Sequence, residues 1–228
     1  MTKYRKISDI YNIIVQIDFS KAISPYSGQP LTRQILMDLL SEYQRPYDKV
    51  NELVKKGFLT PIKRGIFIPG PQTSVLAPEK LLLANHLWGP SYISSDSALS
   101  YWGMIPERVY ETLSMTPHLA KVYKTPVGRF RYIRTPLPYY SYGIERVELA
   151  PNQMALIAGK EKSLCDKIIT TPRLKLRSAK QTFEYLTEDL RIGEASLAEL
   201  NTQTIESYLT HAPKRESLLV LIKTLNDL

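Results

Sequence analysis

The chain has 228 residues with 43% hydrophobic and 23% charged residues, enough to bury a core without metal or disulfide staples and unlike a disordered or collagenous composition. Its longest near-continuous apolar stretches, such as Leu81 to Trp88 and Leu218 to Ile222, fall far below the roughly 20 residues needed to span a bilayer, which argues against an integral membrane protein. Thirty Lys and Arg against 22 Asp and Glu leave a formal charge of +8; such a surplus favours polyanionic partners through long-range attraction.

The stretch after the charged residues Met1 to Lys6 is interrupted by Asp9, Asn12, Gln16 and Asp18 and offers no small-residue cleavage site, so no export signal is expected. The single cysteine, Cys165, allows no internal disulfide, and a cytoplasmic location is the default reading.

In chain order, Ile7, Ile10, Ile13, Ile14 and Ile17 recur at helical spacing and predict an amphipathic first helix, ended by the Ser24 to Pro30 loop. Thr32 opens a second helix that buries Ile35, Leu36, Leu39 and Leu40, and Arg45-Pro46 opens a third with Val50, Leu53 and Val54 as its apolar stripe. Gly57 closes it. The runs Phe58 to Ile62 and Gly65 to Pro69, joined through Lys63-Arg64-Gly65, predict a hairpin with a basic tip. Helices joined by a tight turn and followed by a hairpin outline a winged helix-turn-helix, in which the second helix of the pair enters the major groove.

Pro69 to Ser74 reads as a linker, giving a DNA-binding domain over 1–76 and a second domain over 77–228. In the second, helices are expected over Pro78 to Leu87 and Ser94 to Trp102. Strands follow over Val109 to Met115, Ala120 to Lys124, Gly128 to Arg134 and Ile144 to Leu149, with helices again over Lys160 to Thr170, Ala179 to Leu190 and Ser217 to Leu228. The fold class is α+β: an N-terminal winged helix-turn-helix followed by a mixed α+β domain.

On the third helix, Arg45, Asp48, Glu52 and Lys55 point away from the apolar stripe, with Lys49, Asn51 and Lys56 on the flanks. Arg45 and Asn51 are the candidate base readers; Lys49, Lys55, Lys56, Lys63 and Arg64 are the candidate phosphate contacts. The alternative is a solvated face carrying a Glu52–Lys56 pair. A secondary basic patch is conceivable from Arg129 and Arg131, which alternate with Phe130 and Tyr132 along a strand, and from Arg173, Lys175, Arg177 and Lys180. No zinc spacing, phosphate loop, nucleophile elbow or dinucleotide fingerprint occurs, and His86, His118 and His211 are scattered. No metal or cofactor is expected. Cys165, between Leu164 and Ile168, reads as a packed thiol; Glu161, Asp166 and Lys167 match no recognised nuclease arrangement.

Three segments resemble the AbiEi-type antitoxins, the regulator half of type IV abortive-infection toxin-antitoxin systems. They are Tyr47 to Leu59 running into Lys63 to Phe67, Tyr92 to Met104, and Gly159 to Lys167, the last similar to that family's Glu-Lys-Ala-Leu-x-Asp helix. The resemblance covers roughly residues 30 to 170; the chain departs from it in its long amino-terminal helix and in Asp48 and Glu52. It implies a non-enzymatic antitoxin that binds repeats in its own promoter and represses its operon. The second domain would counter a nucleotidyltransferase-like toxin without a stable complex. Two other readings are a stand-alone regulator with a ligand- or partner-sensing second domain, and a nucleic-acid-processing enzyme.

Overall fold

In a computed structural model, residues 19–228 are described; the amphipathic pattern over Ile7 to Ile17 lies outside them. Residues 19–23 are helical (α1), followed by a single 3-10 turn over Ser24–Tyr26. Strand β1 (Leu31–Thr32), helix α2 (Arg33–Leu39), helix α3 (Pro46–Lys55) and the hairpin β2 (Leu59–Lys63) and β3 (Ile66–Pro69) complete the first unit. The Thr32 hydroxyl accepts a hydrogen bond from the Ile35 amide and starts α2, satisfying one of the donors that a helix leaves open. Pro46 sits in the first turn of α3, and Gly57 follows the helix at φ +75°, where a side chain would be strained. Leu31, Leu36, Leu40, Val50, Leu53, Phe58 and Leu59 form the core of this unit.

The expected hairpin forms, with Gly65 at φ +82° in its turn. It also gains a strand that two residues are too short to signal: Leu31 and Thr32 pair with Phe67 and Ile66, giving an antiparallel sheet in the order β1-β3-β2.

The second half contains α4 (Lys80–Leu87), β4 (Tyr92–Ile93), α5 (Ser95–Tyr101), β5 (Glu111–Thr116), β6 (Lys121–Thr125), β7 (Gly128–Arg134), α6 (Leu137–Tyr140), β8 (Ile144–Ala150) and β9 (Gln153–Ala158). Helices α7 (Lys160–Thr170), α8 (Ala179–Glu184), α9 (Glu194–Ala198), α10 (Thr202–Leu209) and α11 (Arg215–Asn226) follow, with a π turn over Tyr185–Asp189 after α8. The strands make one mixed sheet in the order β6-β7-β5-β4-β9-β8, parallel at β5–β7 and β4–β9.

Strand register aligns Tyr132, Ser114 and Ile93 in one row. That face is covered by α4, whose Ala84 carbonyl accepts from the Tyr132 hydroxyl at 2.6 Å. One residue out of phase, Tyr92 points to the opposite face, where α7 packs. Beyond α7, the helices α8 to α11 gather around Leu164, Leu186, Tyr208, Leu218 and Leu221.

The segment expected as a linker, exposed at Pro71, Gln72 and Ser74, is tied back to the first unit by its backbone. The Gly70 amide donates to the Phe58 carbonyl and the Gln72 amide to that of Gly57. The outer face of the hairpin contributes Ile62 and Ile68 to the same buried cluster as Leu83, Leu87, Phe130 and Tyr132. Burial of two isoleucines stabilises this junction by about 1.5–3 kcal/mol each.

Candidate nucleic-acid interface

The outward surface of α3 is sorted by its charges. Glu52 binds Lys49 at 3.1 Å and Lys56 at 2.8 Å, and Asp48 lies 3.8 Å from Arg45. The hydrogen bond from Lys56 is the main cause that holds the Glu52 carboxyl below its ordinary range, against the opposing effect of burial. Both carboxylates on the expected groove face are therefore answered from within the helix, and the Glu52–Lys56 pair of the solvated-face alternative does form.

Two expected phosphate contacts need correction. Lys49 is only 7% exposed; it turns inward, with its ammonium against Glu52 and 5.0 Å from the centre of the Tyr43 ring. A flank assigned on an ideal wheel becomes interior because Tyr43, in the connection between α2 and α3, folds over it. Lys63 is half-buried and is not at a free tip: its Nζ donates to the Leu87 carbonyl and lies 5.5 Å from the centre of the Tyr123 ring. Burial lowers its pKa. Fastening the hairpin to the second half is what this lysine does.

What remains outward is a contiguous set. Asn51 and Lys55 are exposed on α3 one turn apart, and Tyr47 stands one turn before Asn51, 59% exposed. The Arg33 guanidinium, at the start of α2, lies 5.6 Å from the centre of the Tyr47 ring. Arg33, Tyr47 and Asn51 line a cleft of about 230 Å³ floored by Leu36, Val50 and Phe67. The Arg33 amide donates to the Gly65 carbonyl, so this cleft adjoins the hairpin tip, where Arg64 is exposed. Lys55 and Arg64 make no ion pair among the described residues. Arg45 is 84% exposed at its side chain and held only by the long contact to Asp48, a pair of little worth in water. Arg33 and Tyr47 were missed in the sequence because neither lies on the stripe opposite Val50. The clue available was the position of Arg33 directly after a helix-capping threonine, where a helix N-terminus meets anions.

The secondary basic patch divides. Arg129 and Arg131 lie on one face of β7, with Phe130 and Tyr132 buried on the other, as alternation requires. Register sets Glu111 opposite Arg129, at 2.5 Å from Arg129 and 3.9 Å from Arg131, so half of that charge is met within the sheet. Arg173, in a turn at φ +60°, and Lys175 and Arg177, on the irregular run before α8, are exposed, while Leu176 turns inward; Lys180 faces Glu184 at 3.8 Å. None of the four joins the α3 surface through a described contact.

The third segment of the resemblance is buried. Asp166 accepts from the hydroxyls of Tyr92 at 2.9 Å and Ser94 at 2.6 Å, and its other oxygen is 3.1 Å from the Lys162 ammonium. Lys162 also donates to the Tyr139 carbonyl at 3.1 Å and lies over the Tyr139 ring. Both charged residues are 1% exposed or less. Glu161 instead accepts from the Asn201 amide, and Lys167 pairs with Asp96, so these residues converge on no common centre. No group of three or more metal-ligating side chains occurs among the described residues. Cys165 is fully buried, and desolvation pushes its thiol up to about 12, opposite to what a nucleophile requires.

No family model matches the chain, and no curated protein matches it. Among solved structures, the chain is similar to the RV2827C protein from Mycobacterium tuberculosis, with a TM-score of 0.60 at 16% identity over 92% of this chain and 76% of that one. At that identity the likeness concerns the fold: a mixed α+β architecture. No helix among the described residues is long and apolar enough to cross a membrane.

Proposed function

We propose that the chain is a cytoplasmic, DNA-binding transcriptional autorepressor and antitoxin of the AbiEi type, its first unit acting as a winged helix-turn-helix on repeats in its own promoter. The observation that carries this reading is the row Lys55, Asn51, Tyr47, Arg33 and Arg64, in which the cations lack carboxylate partners among the described residues. Asn51 matches the adenine edge and Arg45 the guanine edge, while Arg33, Lys55 and Arg64 meet phosphates. The strand order β1-β3-β2 behind α2 and α3 supports the same assignment. Under this reading the second half counters a nucleotidyltransferase-like toxin without a stable complex and performs no chemistry itself.

A stand-alone regulator is favoured by one separate feature. A cleft of about 390 Å³, with Ile105, Val109, Leu113 and Leu190 on its walls, opens between the sheet and the helical layer and could seat a small effector.

The test is equilibrium binding to a labelled duplex from immediately upstream of the gene, against a scrambled duplex of equal length, at two salt concentrations. Selective binding that weakens with salt is expected. Equal, weak binding to both duplexes would overturn the reading.

A further inference from the structure

The cleft of about 390 Å³ between the sheet and the helical layer has the size of a small-molecule site, and its lining is unevenly charged. The carboxylates of Asp96, Glu107, Glu111 and Asp189 share it with the cations Arg108 and Lys167. This is an acidic lining in a chain whose formal charge is +8. Ile105, Val109, Leu113 and Leu190 supply its apolar wall.

Ion pairs fix the walls but do not satisfy every carboxylate. Asp96, on α5, holds Lys167, on α7, at 2.7 Å. Glu107, in the connection from α5 to β5, accepts from the Arg191 Nε at 2.7 Å on its Oε1, which ties that connection to the segment after the π turn. Glu111 is met by Arg129 from the neighbouring strand. The Glu107 side chain is half-buried, and its Oε2 is shielded from solvent with no hydrogen-bond donor among the described residues. Asp189 makes no ion pair among them. A carboxylate oxygen kept from water without a donor costs free energy. Arg108 makes no ion pair among the described residues either, but it is exposed, where water and salt screen its charge.

The backbone at this wall departs from an ordinary helix. The Leu190 amide donates to the Tyr185 carbonyl, closing the π turn that carries Asp189, and Arg191 follows at φ +52°. A π turn frequently marks a functional site.

We infer that this cleft binds a small primary amine with an apolar body. Its ammonium donates to the Glu107 Oε2 and is attracted by Asp189, while Val109, Leu113 and Leu190 cover the body. An ammonium brings three donors and a positive charge, which these two carboxylates lack. The inference rests on the reading of the cleft as an effector site and is independent of DNA binding.

The experiment titrates the full chain with probes of one size, phenethylamine, phenylalanine, phenethyl alcohol and hydrocinnamate, at equal millimolar concentrations, followed by thermal melting and ligand-observed NMR. Phenethylamine should raise the melting temperature, as a ligand of the folded state does, and the alcohol and the carboxylate should not. Phenylalanine separates two sources of the amine: stabilisation at least as large as that by phenethylamine assigns the site to an amino acid whose carboxylate meets Arg108, and a smaller one to a simple amine. Glu107→Gln and Asp189→Asn should each weaken phenethylamine binding several-fold, and Val109→Trp, which fills the cleft, should abolish it. Both carboxylates lie outside the buried cores, so the test stands even if Val109→Trp does not fold. Unchanged phenethylamine binding in the double variant Glu107→Gln/Asp189→Asn would overturn the inference. Equal stabilisation by phenethyl alcohol or hydrocinnamate, lost in Val109→Trp, would overturn the amine and leave the effector site standing. No response to any probe would overturn both.

Discussion

Replacing Asp166 by alanine should be the most damaging single change in the second half. The substitution removes a carboxylate that receives hydroxyl hydrogen bonds from Tyr92 and Ser94 and neutralises Lys162. Three donors would then be left in a site without water access. Breaking one member of a buried ion pair costs about 3–5 kcal/mol, and each orphaned hydroxyl adds about 1–3 kcal/mol. Set against a total stability of roughly 5–15 kcal/mol, Asp166→Ala should remove a large part of what holds the protein folded. Lys162→Met should cost less, because Asp166 keeps two of its hydrogen bonds and the long apolar side chain still packs on the Tyr139 ring. The double variant Lys162→Met/Asp166→Ala should be more stable than the sum of the two losses predicts, by about 1–3 kcal/mol of coupling. Urea unfolding of all four proteins, followed by circular dichroism, measures this directly. Strict additivity, or a Lys162→Met loss larger than that of Asp166→Ala, would refute the assignment of the carboxylate as the hub of the cluster.

Three further outcomes are expected. Lys55→Ala and Arg64→Ala should each reduce the salt slope of duplex binding by about 0.9, whereas Lys49→Ala, which removes a lysine turned inward, should leave the slope unchanged; titrations at several salt concentrations decide this. Stability should fall as pH rises from 9.0 toward 12, because folding holds the Cys165 thiol protonated while the unfolded chain releases the proton. The expected loss from this group is roughly 1.4 kcal/mol per pH unit across that window, and a Cys165→Ala protein should lack that component in urea titrations at stepped pH. Gly70→Ala should destabilise by about 1–3 kcal/mol, since a Cβ there would meet the Gly57 carbonyl oxygen at 2.2 Å; an unchanged melting temperature would show that the junction yields freely.

Much of the architecture was legible from periodicity and turn residues. Helix α3 began at Pro46, β7 ran from Gly128 to Arg134 and α7 from Lys160 to Thr170 as the patterns predict. Strands β1 and β4 were not legible, because two residues carry no alternation. Strand β9 was hidden because buried Gln153 and exposed Leu156 invert the usual polarity. For the site, the sequence marked the helix and the hairpin and placed Asn51, Lys55 and Arg64 where they are exposed. It misplaced Lys49 and Lys63, whose orientations depend on Tyr43 and on the Leu87 carbonyl, partners brought in by tertiary packing. Nor did it reveal the pairing of Glu111 with Arg129, which depends on a parallel neighbour rather than on nearby sequence.

The sharing of the hairpin between two interiors bears on how the molecule can be dissected. Phe58 and Leu59 belong to the core of the first unit, while Ile62 and Ile68, a few residues on, belong to that of the second. A cut at 76/77 would follow the composition yet strip the cover from Ile62 and Ile68 on one fragment and from Leu83 and Leu87 on the other. Such fragments are poor proxies for the intact chain, and their aggregation would say nothing about either half's role. In the whole protein, the same arrangement makes β2 and β3 a splint: a disturbance in the second half reaches Arg64 without crossing a hinge, and heat should melt both halves in a single transition.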